Sequence, residues 1–349
     1  MSKLISLCFP IYNRIETFKY TFSRTIGEVC RVNSDEIEVV VSVNPEEKTI
    51  EETKRFLTEM QEKTQIVVNI NETNIGIGGN GRKVFELATG KYIWMIGDDD
   101  YILQGCLDRI LKAVHEHPDI GWIYLAYGRL DGYPEDEKAQ IGELTSYLFQ
   151  KNGYIADGKA GVIAVHNRFG GKTLFSSANL FLKSAWQEVA DENKDDNPQL
   201  GATFCAASRG GIYLDDSINV MAGGQTTWSE QADYSSLISY FRDMSFAINH
   251  GFTESEIHSM IRYSMRHSLL ILWFRAYRSL FQGSEIGKQA LGFFFRIMPM
   301  QTVISTIFLP VIGFYLLLRN KYRNRVRRKV CAQYRNKAGA DPDIVSRLA

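Results

Sequence analysis

Short apolar runs alternate with amphipathic stretches along the first third of the chain. Leu4 to Phe9 is an apolar run stopped by Pro10 and predicts a buried strand; Thr17 to Val29 has helical spacing. Glu38 to Val43 predicts a second strand, Ile50 to Glu62 a charged amphipathic helix, and Gln65 to Ile70 a third strand. Lys83 to Ala88 is helical and is stopped by Gly90, and Tyr92 to Ile96 predicts the fourth strand. Strands alternating with helices predict an α/β fold, a doubly wound and mostly parallel sheet flanked by helices with right-handed crossovers. In such sheets ligands bind beyond the carboxyl ends of the strands. The segments that follow strands therefore share one rim.

Further on, Cys106 to His117 predicts a helix and Ile120 to Tyr127 a strand. Leu130 to Asn152 is polar and reads as surface, and Phe175 to Phe181 predicts a strand. Beyond Asn197 the pattern becomes helical, with Asp215 and Asp216 expected in a turn and Gly223 to Trp228 in a loop. His250, His258 and His267 lack metal-ligand spacing and are expected on helix surfaces. The expected organisation is 1–130, 131–250 and a helical, apolar and basic region over 251–349.

That last region changes the picture. Ile297 to Leu318 holds no charged residue across 22 positions, near the length of a bilayer span, yet Pro299, Pro310 and Gly313 interrupt it. From Arg319 to Lys337 there are nine Lys/Arg and no acid. Such a flank is expected at the cytoplasmic face of a membrane, against anionic headgroups. A spanning helix, an in-plane helix and a buried core helix all remain open; Leu269 to Phe281, with Arg275 and Arg278 inside, favours in-plane helices. Lys+Arg and Asp+Glu balance at 40 each, so charge gives no argument for nucleic acid. Five scattered cysteines argue for a reducing compartment and against a disulfide framework or structural zinc. Met1-Ser2-Lys3 leads straight into a strand-like run, so no signal peptide is expected.

The rim carries the candidate chemistry. The fourth strand ends in Asp98-Asp99-Asp100. Adjacent carboxylates repel one another; they suit a solvated turn, or a hard cation such as Mg²⁺ or Mn²⁺ that takes oxygen ligands. Pro10-Ile11-Tyr12-Asn13-Arg14 offers a ring that can stack on a base, or is a plain turn. Asn44, before Pro45, can both donate to and accept from a base edge, or serve the turn. Asn74 to Arg82 is a glycine-rich loop entering a helix, suited to close approach of an anion but not a GxxxxGK[ST] loop.

Together these pieces resemble a family 2 glycosyltransferase of the GT-A type. The resemblance covers roughly residues 1 to 130. It rests on Pro10-x-Tyr12-Asn13-Arg14, Asn74-x-Gly76, Ala88-Thr89-Gly90-Lys91-Tyr92 and the Asp-x-Asp of Asp98 and Asp100. Phe175-Ser176-Ser177-x-Asn179 with Trp186 also resembles bacterial O-antigen (abequosyltransferase-like) sugar transferases. The resemblance implies that 1–130 binds a nucleotide sugar and 131–250 an acceptor. Pro10, Tyr12, Asn13, Arg14, Asn44, Asn74, Gly76, Arg82, Asp98 and Asp99 would bind nucleotide, with Tyr12 and Arg14 on the base. Asp100, with Asp98, would ligate Mn²⁺ or Mg²⁺ on the donor diphosphate.

Two departures stand out. Many relatives carry Asp where this chain has Asn44, and Asn80-Gly81-Arg82 matches the family's Ala-Arg-Asn only loosely. An inverting enzyme of this family would need a carboxylate base roughly ninety residues after the metal acids, where Asp196, Asp195 and Asp191 fall; a solvated charged loop is the alternative. The expectation is sugar transfer from a nucleotide diphosphate to a lipid-linked saccharide acceptor, in O-antigen or other surface polysaccharide synthesis. A sugar nucleotidyltransferase and a non-catalytic membrane-associated scaffold of the same fold remain the alternatives.

Overall fold

The computed structural model describes residues 3–149, 151–191, 198–224 and 247–261. The strands are β1 (Ile5–Ile11), β2 (Ile37–Val43), β3 (Ile66–Ile70), β4 (Tyr92–Met95), β5 (Asp100–Ile102), β6 (Ile120–Leu130), β7 (Ile141–Leu144), β8 (Gly153–Ile155), β9 (Asn179–Leu182) and β10 (Gly211–Ala222). The helices are α1 (Ile15–Val32), α2 (Ile50–Gln61), α3 (Gly76–Leu87), α4 (Cys106–Glu116), α5 (Gly158–Phe169), α6 (Lys183–Val189) and α7 (Pro198–Arg209). A single sheet runs β3-β2-β1-β4-β9-β6-β10-β5, with β7 beside β6 and β8 beside β10.

The sheet is mixed where a mostly parallel one was expected. β3, β2, β1 and β4 run parallel. β9 then pairs antiparallel with both β4 and β6. β10 is parallel to β6 but antiparallel to β5 and β8. The parallel part is where strands and helices alternate, as crossover geometry requires.

α1 shows how pattern becomes packing. Phe18, Phe22, Ile26 and Val29 lie on one face and are buried. Phe22 meets Phe9 of β1 edge to face at 4.9 Å, and Phe18 meets Phe56 of α2 at 5.8 Å. Asn33 ends the helix in the left-handed conformation, its N–H donating to the Val29 carbonyl at 2.9 Å. Val39, Val40, Val41 and Val43 of β2 are all buried, as a strand covered on both faces requires.

Pro10 does not stop β1, which continues to Ile11. The Cys8 carbonyl accepts from Ile96 N–H at 2.9 Å, so Pro10, two residues on, faces the same side, where β4 pairing has ended at Cys8. The missing proline donor therefore breaks no ladder bond. Three further differences follow. α3 begins at Gly76, so the glycine-rich segment forms its first turns. The 130–152 stretch contains β7, whose Ile141 and Leu144 are buried against β6. Asp215 and Asp216 lie inside β10, at a register shift; buried Asp215 accepts from Arg109 Nε of α4 at 2.9 Å.

Ala88-Thr89-Gly90-Lys91-Tyr92 lies at the amino edge of the sheet, away from the rim. Buried Glu38 accepts there from the Ser6 hydroxyl at 2.5 Å, the Thr89 hydroxyl at 2.8 Å and Gly90 N–H at 3.0 Å. Replacing Glu38 by Ala strands these donors. We expect a loss on the order of 3 kcal/mol in urea-unfolding stability, with nucleotide binding by the remaining folded protein unchanged.

Candidate functional site

The carboxyl ends of β1, β2 and β4 meet at one rim. Ile96 and Gly97 lead β4 into a turn at Asp98 and Asp99, and Asp100 opens β5. All three carboxyl side chains are buried. A Cβ on Gly97 would sit 2.7 Å from Asp100 Oδ2 and 3.2 Å from Asp99 Oδ1, so the turn needs glycine to let the acids fold over it.

Arg14, just after β1, spans two of the acids. Its Nε donates to Asp98 Oδ2 at 3.2 Å and its Nη2 to Asp98 Oδ1; Nη1 donates to Asp99 Oδ2 at 2.9 Å. This is the planar fork that guanidinium offers to carboxylates. The resemblance implied a base contact for Arg14; the structure gives its guanidinium to the acids. Asp100 lies outside that fork. Its Oδ2 accepts from the Ser177 hydroxyl at 2.5 Å and its Oδ1 from Gly223 N–H at 3.2 Å. Ser177 in turn accepts from Gly97 N–H at 3.0 Å, and Thr21 of α1 donates to the Asp98 carbonyl at 2.8 Å.

Arg129 completes this corner. It lies opposite Ala222 of β10, and Ala222 lies opposite Asp100 of β5. Residues in one row of a sheet point to one face. The small alanine thus leaves Arg129 and Asp100 facing each other across it. Burial pushes the Asp100 carboxyl well above the usual carboxylate range, the charge of Asp99 adds to this, and Ser177, Gly223 and Arg129 oppose it. Burial raises Asp98 as well, against the Arg14 charge. Three crowded, dehydrated carboxyls with oxygen-only donors suit a hard divalent cation, and Asp98 and Asp100 are the residues that would hold it.

Tyr12, Arg14 and Asp98 border one small crevice together with Ile15 and Phe18. Tyr12 is exposed, its hydroxyl donating to Glu46 at 3.3 Å. Asn44 is buried and engaged at both ends. Its Nδ2 donates to the Gly76 carbonyl at 3.1 Å, and its Oδ1 accepts from Ile75 N–H at 3.2 Å and Asn71 Nδ2 at 3.0 Å. Asn80 Nδ2 donates to the Ile11 carbonyl at 3.0 Å. These amides fix the start of α3 to β1 and β2. Asn74 Oδ1 accepts from Gly76 N–H at 2.9 Å, and Asn13 is exposed beside Tyr12. Arg82 donates to the Ala190 carbonyl at 3.2 Å. Asp191, the next residue, is exposed at the end of α6; Asp195 and Asp196 lie outside the described residues, as do 225–228 and His267.

Residues 6–177 match the family model Glycosyl transferase family 2. The matched segment contains the rim residues from Tyr12 to Ser177. A curated relative, the uncharacterized glycosyltransferase MJ1057 of Methanocaldococcus jannaschii, is 28% identical over 156 residues, which cover 43% of this chain and 52% of the relative. The match thus spans about half the length of that relative. Among solved structures, S. aureus TarS 1–349 in complex with UDP superposes with a TM-score of 0.57 at 16% identity, covering 89% of this chain and 86% of that one. The mannosyltransferase PcManGT from Pyrobaculum calidifontis, in complex with GDP-Man and Mn2+, gives 0.53 at 12% identity, covering 93% and 83%. These likenesses are of fold: GT-A-like, an α/β mixed sheet flanked by helices.

At the rim, the sequence marked the acids but not what holds them. Ser177 stood only as part of a motif and Gly223 only as the start of a loop; Thr21, Gly97 and Arg129 carried no signal, because their contacts with the acids are set by packing. A cation at Asp98 and Asp100 must displace protons that burial retains. Mn²⁺ affinity should therefore rise with pH well past the usual carboxylate range, by up to about tenfold per pH unit for each proton displaced. Calorimetric titration at a series of pH values reads this; a flat profile would remove Asp98 and Asp100 as ligands.

Proposed function

We propose that the chain is a metal-dependent glycosyltransferase. It moves a sugar from a nucleotide-diphosphate donor to a saccharide acceptor. The observation that carries this reading is the buried trio Asp98, Asp99 and Asp100 at the rim, with the exposed Tyr12 ring close by, inside the residues 6–177 that match the family 2 model. TarS with UDP and PcManGT with GDP-Man and Mn2+ support the donor class by their fold.

The roles in this reading are these. The Tyr12 ring offers a face on which a base stacks. Arg14 offsets the charge of Asp98 and Asp99, so the acids tolerate burial together before a ligand arrives. Departure of the nucleoside diphosphate builds negative charge, and a divalent ion at Asp98 and Asp100 supplies Lewis-acid stabilisation of that charge. Ser177 and Gly223 hold the Asp100 oxygens in place, and Arg129 adds a cation on the same face. In an inverting reaction one of Asp191, Asp195 and Asp196 takes the proton of the acceptor hydroxyl.

Titration with UDP, CDP, GDP and dTDP, with and without Mn²⁺, tests the class and names the base. One of them should bind in a Mn²⁺-dependent manner. Asp100→Asn should lower sugar transfer at least a hundredfold while the protein stays folded by circular dichroism. Retained turnover, or no metal-dependent nucleotide binding, refutes the reading.

The acceptor in this proposal is lipid-linked and the work is done at the cytoplasmic face of the cell membrane, in surface polysaccharide synthesis. Its support is the sequence of 262–349, which lies outside the described residues. Among the described residues no helix is long and apolar enough to cross a membrane. Removing residues 290–349 should shift the protein from the membrane to the soluble fraction on sedimentation; unchanged membrane association would refute this part.

A further inference from the structure

A second group of ligand-type side chains lies outside the rim. Glu188 of α6, Cys205 of α7 and His250, at the end of a 3-10 turn over Ala247–His250, bring one potential ligand atom each to within 4.8 Å of the others. The parts of the group have distinct environments. Cys205 is buried, the His250 side chain is 8% exposed and the Glu188 side chain 43% exposed. Arg209 pairs with Glu188 through Oε2. The other oxygen, Oε1, faces Cys205 Sγ at 3.7 Å and His250 Nδ1 at 3.4 Å.

Two of the three separations, both made by Glu188 Oε1, fit a coordination shell. Tetrahedral zinc binds oxygen and nitrogen at about 2.0 Å and sulfur at about 2.3 Å, which puts neighbouring ligand atoms roughly 3.3–3.5 Å apart. The two measured edges fall within a few tenths of an ångström of this. The donor set also differs in kind from the rim. One thiolate, one imidazole and one carboxylate suit borderline-soft Zn²⁺, whereas the oxygen-only acids at Asp98–Asp100 suit Mg²⁺ or Mn²⁺. The arginine on Oε2 orients the carboxylate without occupying Oε1, the kind of outer contact that positions metal ligands.

We propose that Glu188, Cys205 and His250 form a zinc site, separate from the rim, that ties α6 and α7 to the 247–261 segment. The fourth position is open to water. The site would brace the face behind the rim: Trp186 of α6 packs on Phe85 of α3 at 5.6 Å, and Phe204 of α7 packs on Phe252 at 5.4 Å. Cobalt replaces zinc in such sites and reports a thiolate ligand by its absorption.

The full-length protein, freed of metal by chelation and dialysis, is titrated with Co²⁺ in excess Mg²⁺. One equivalent should develop a near-ultraviolet thiolate-to-cobalt charge-transfer band, which Zn²⁺ abolishes by competition. Cys205→Ser should lose the band. Glu188→Gln, at an exposed position where folding is not at stake, and His250→Ala should each weaken Co²⁺ binding at least about tenfold. Cys30→Ser, at an exposed thiol, and Asp100→Asn should leave the band intact. Absence of a band, a band that survives Cys205→Ser, or unchanged affinity in both Glu188→Gln and His250→Ala overturns the proposal.

Discussion

Three consecutive carboxyls at the end of a buried strand are an electrostatic problem, and the fork of Arg14 across Asp98 and Asp99 is its solution. Close charges of one sign in a poorly hydrated turn are costly unless a cation sits among them. The arginine arrives from the end of the neighbouring strand, so the pairing also fixes where β1 hands over to α1. Asp100 is left outside the fork and is satisfied by a hydroxyl and a peptide N–H, which donate without cancelling its charge. Burial and the neighbouring Asp99 charge then favour a proton on Asp100, which a bound cation would have to replace.

Opposite ends of the sheet use buried carboxylates differently. Glu38, at the amino edge, takes its donors from a serine, a threonine and backbone, all fixed by the first and fourth strands. It is a structural anchor, and it accounts for the Ala88–Tyr92 motif without any ligand. The aspartates at the carboxyl edge share the fold's open side with an exposed aromatic ring. Which edge a carboxylate occupies thus separates scaffold from chemistry within one sheet.

The parallel half of the fold was legible because its strands are continuous valine- and isoleucine-rich runs separated by helices of clear period. The rim followed from that topology alone, and Tyr12 and Asp98 do meet there. The antiparallel half was not legible. β10 carries Asp215 and Asp216 in its middle, and only the arginine from α4 makes a buried aspartate tolerable there; no local pattern reveals such a partner. Asn44 looked like a ligand-facing amide, yet its hydrogen bonds run to Gly76, Ile75 and Asn71, which only the folded loop brings near. Cys205 and His250 are 45 positions apart in sequence, so spacing rules for metal ligands pass over them; only the fold sets the Ala247–His250 turn against α7.

The placement of β9 has a consequence for motion. It hydrogen-bonds to β4 on one side and β6 on the other, and Ser177 lies just before it. The parallel strands β3-β2-β1-β4 and the strands from β6 onward are therefore stitched by continuous ladders rather than joined through a linker. Prising them apart as rigid bodies would sever those ladders. Substrate access to a rim built this way is a matter for its connecting loops, with the sheet acting as an unhinged floor.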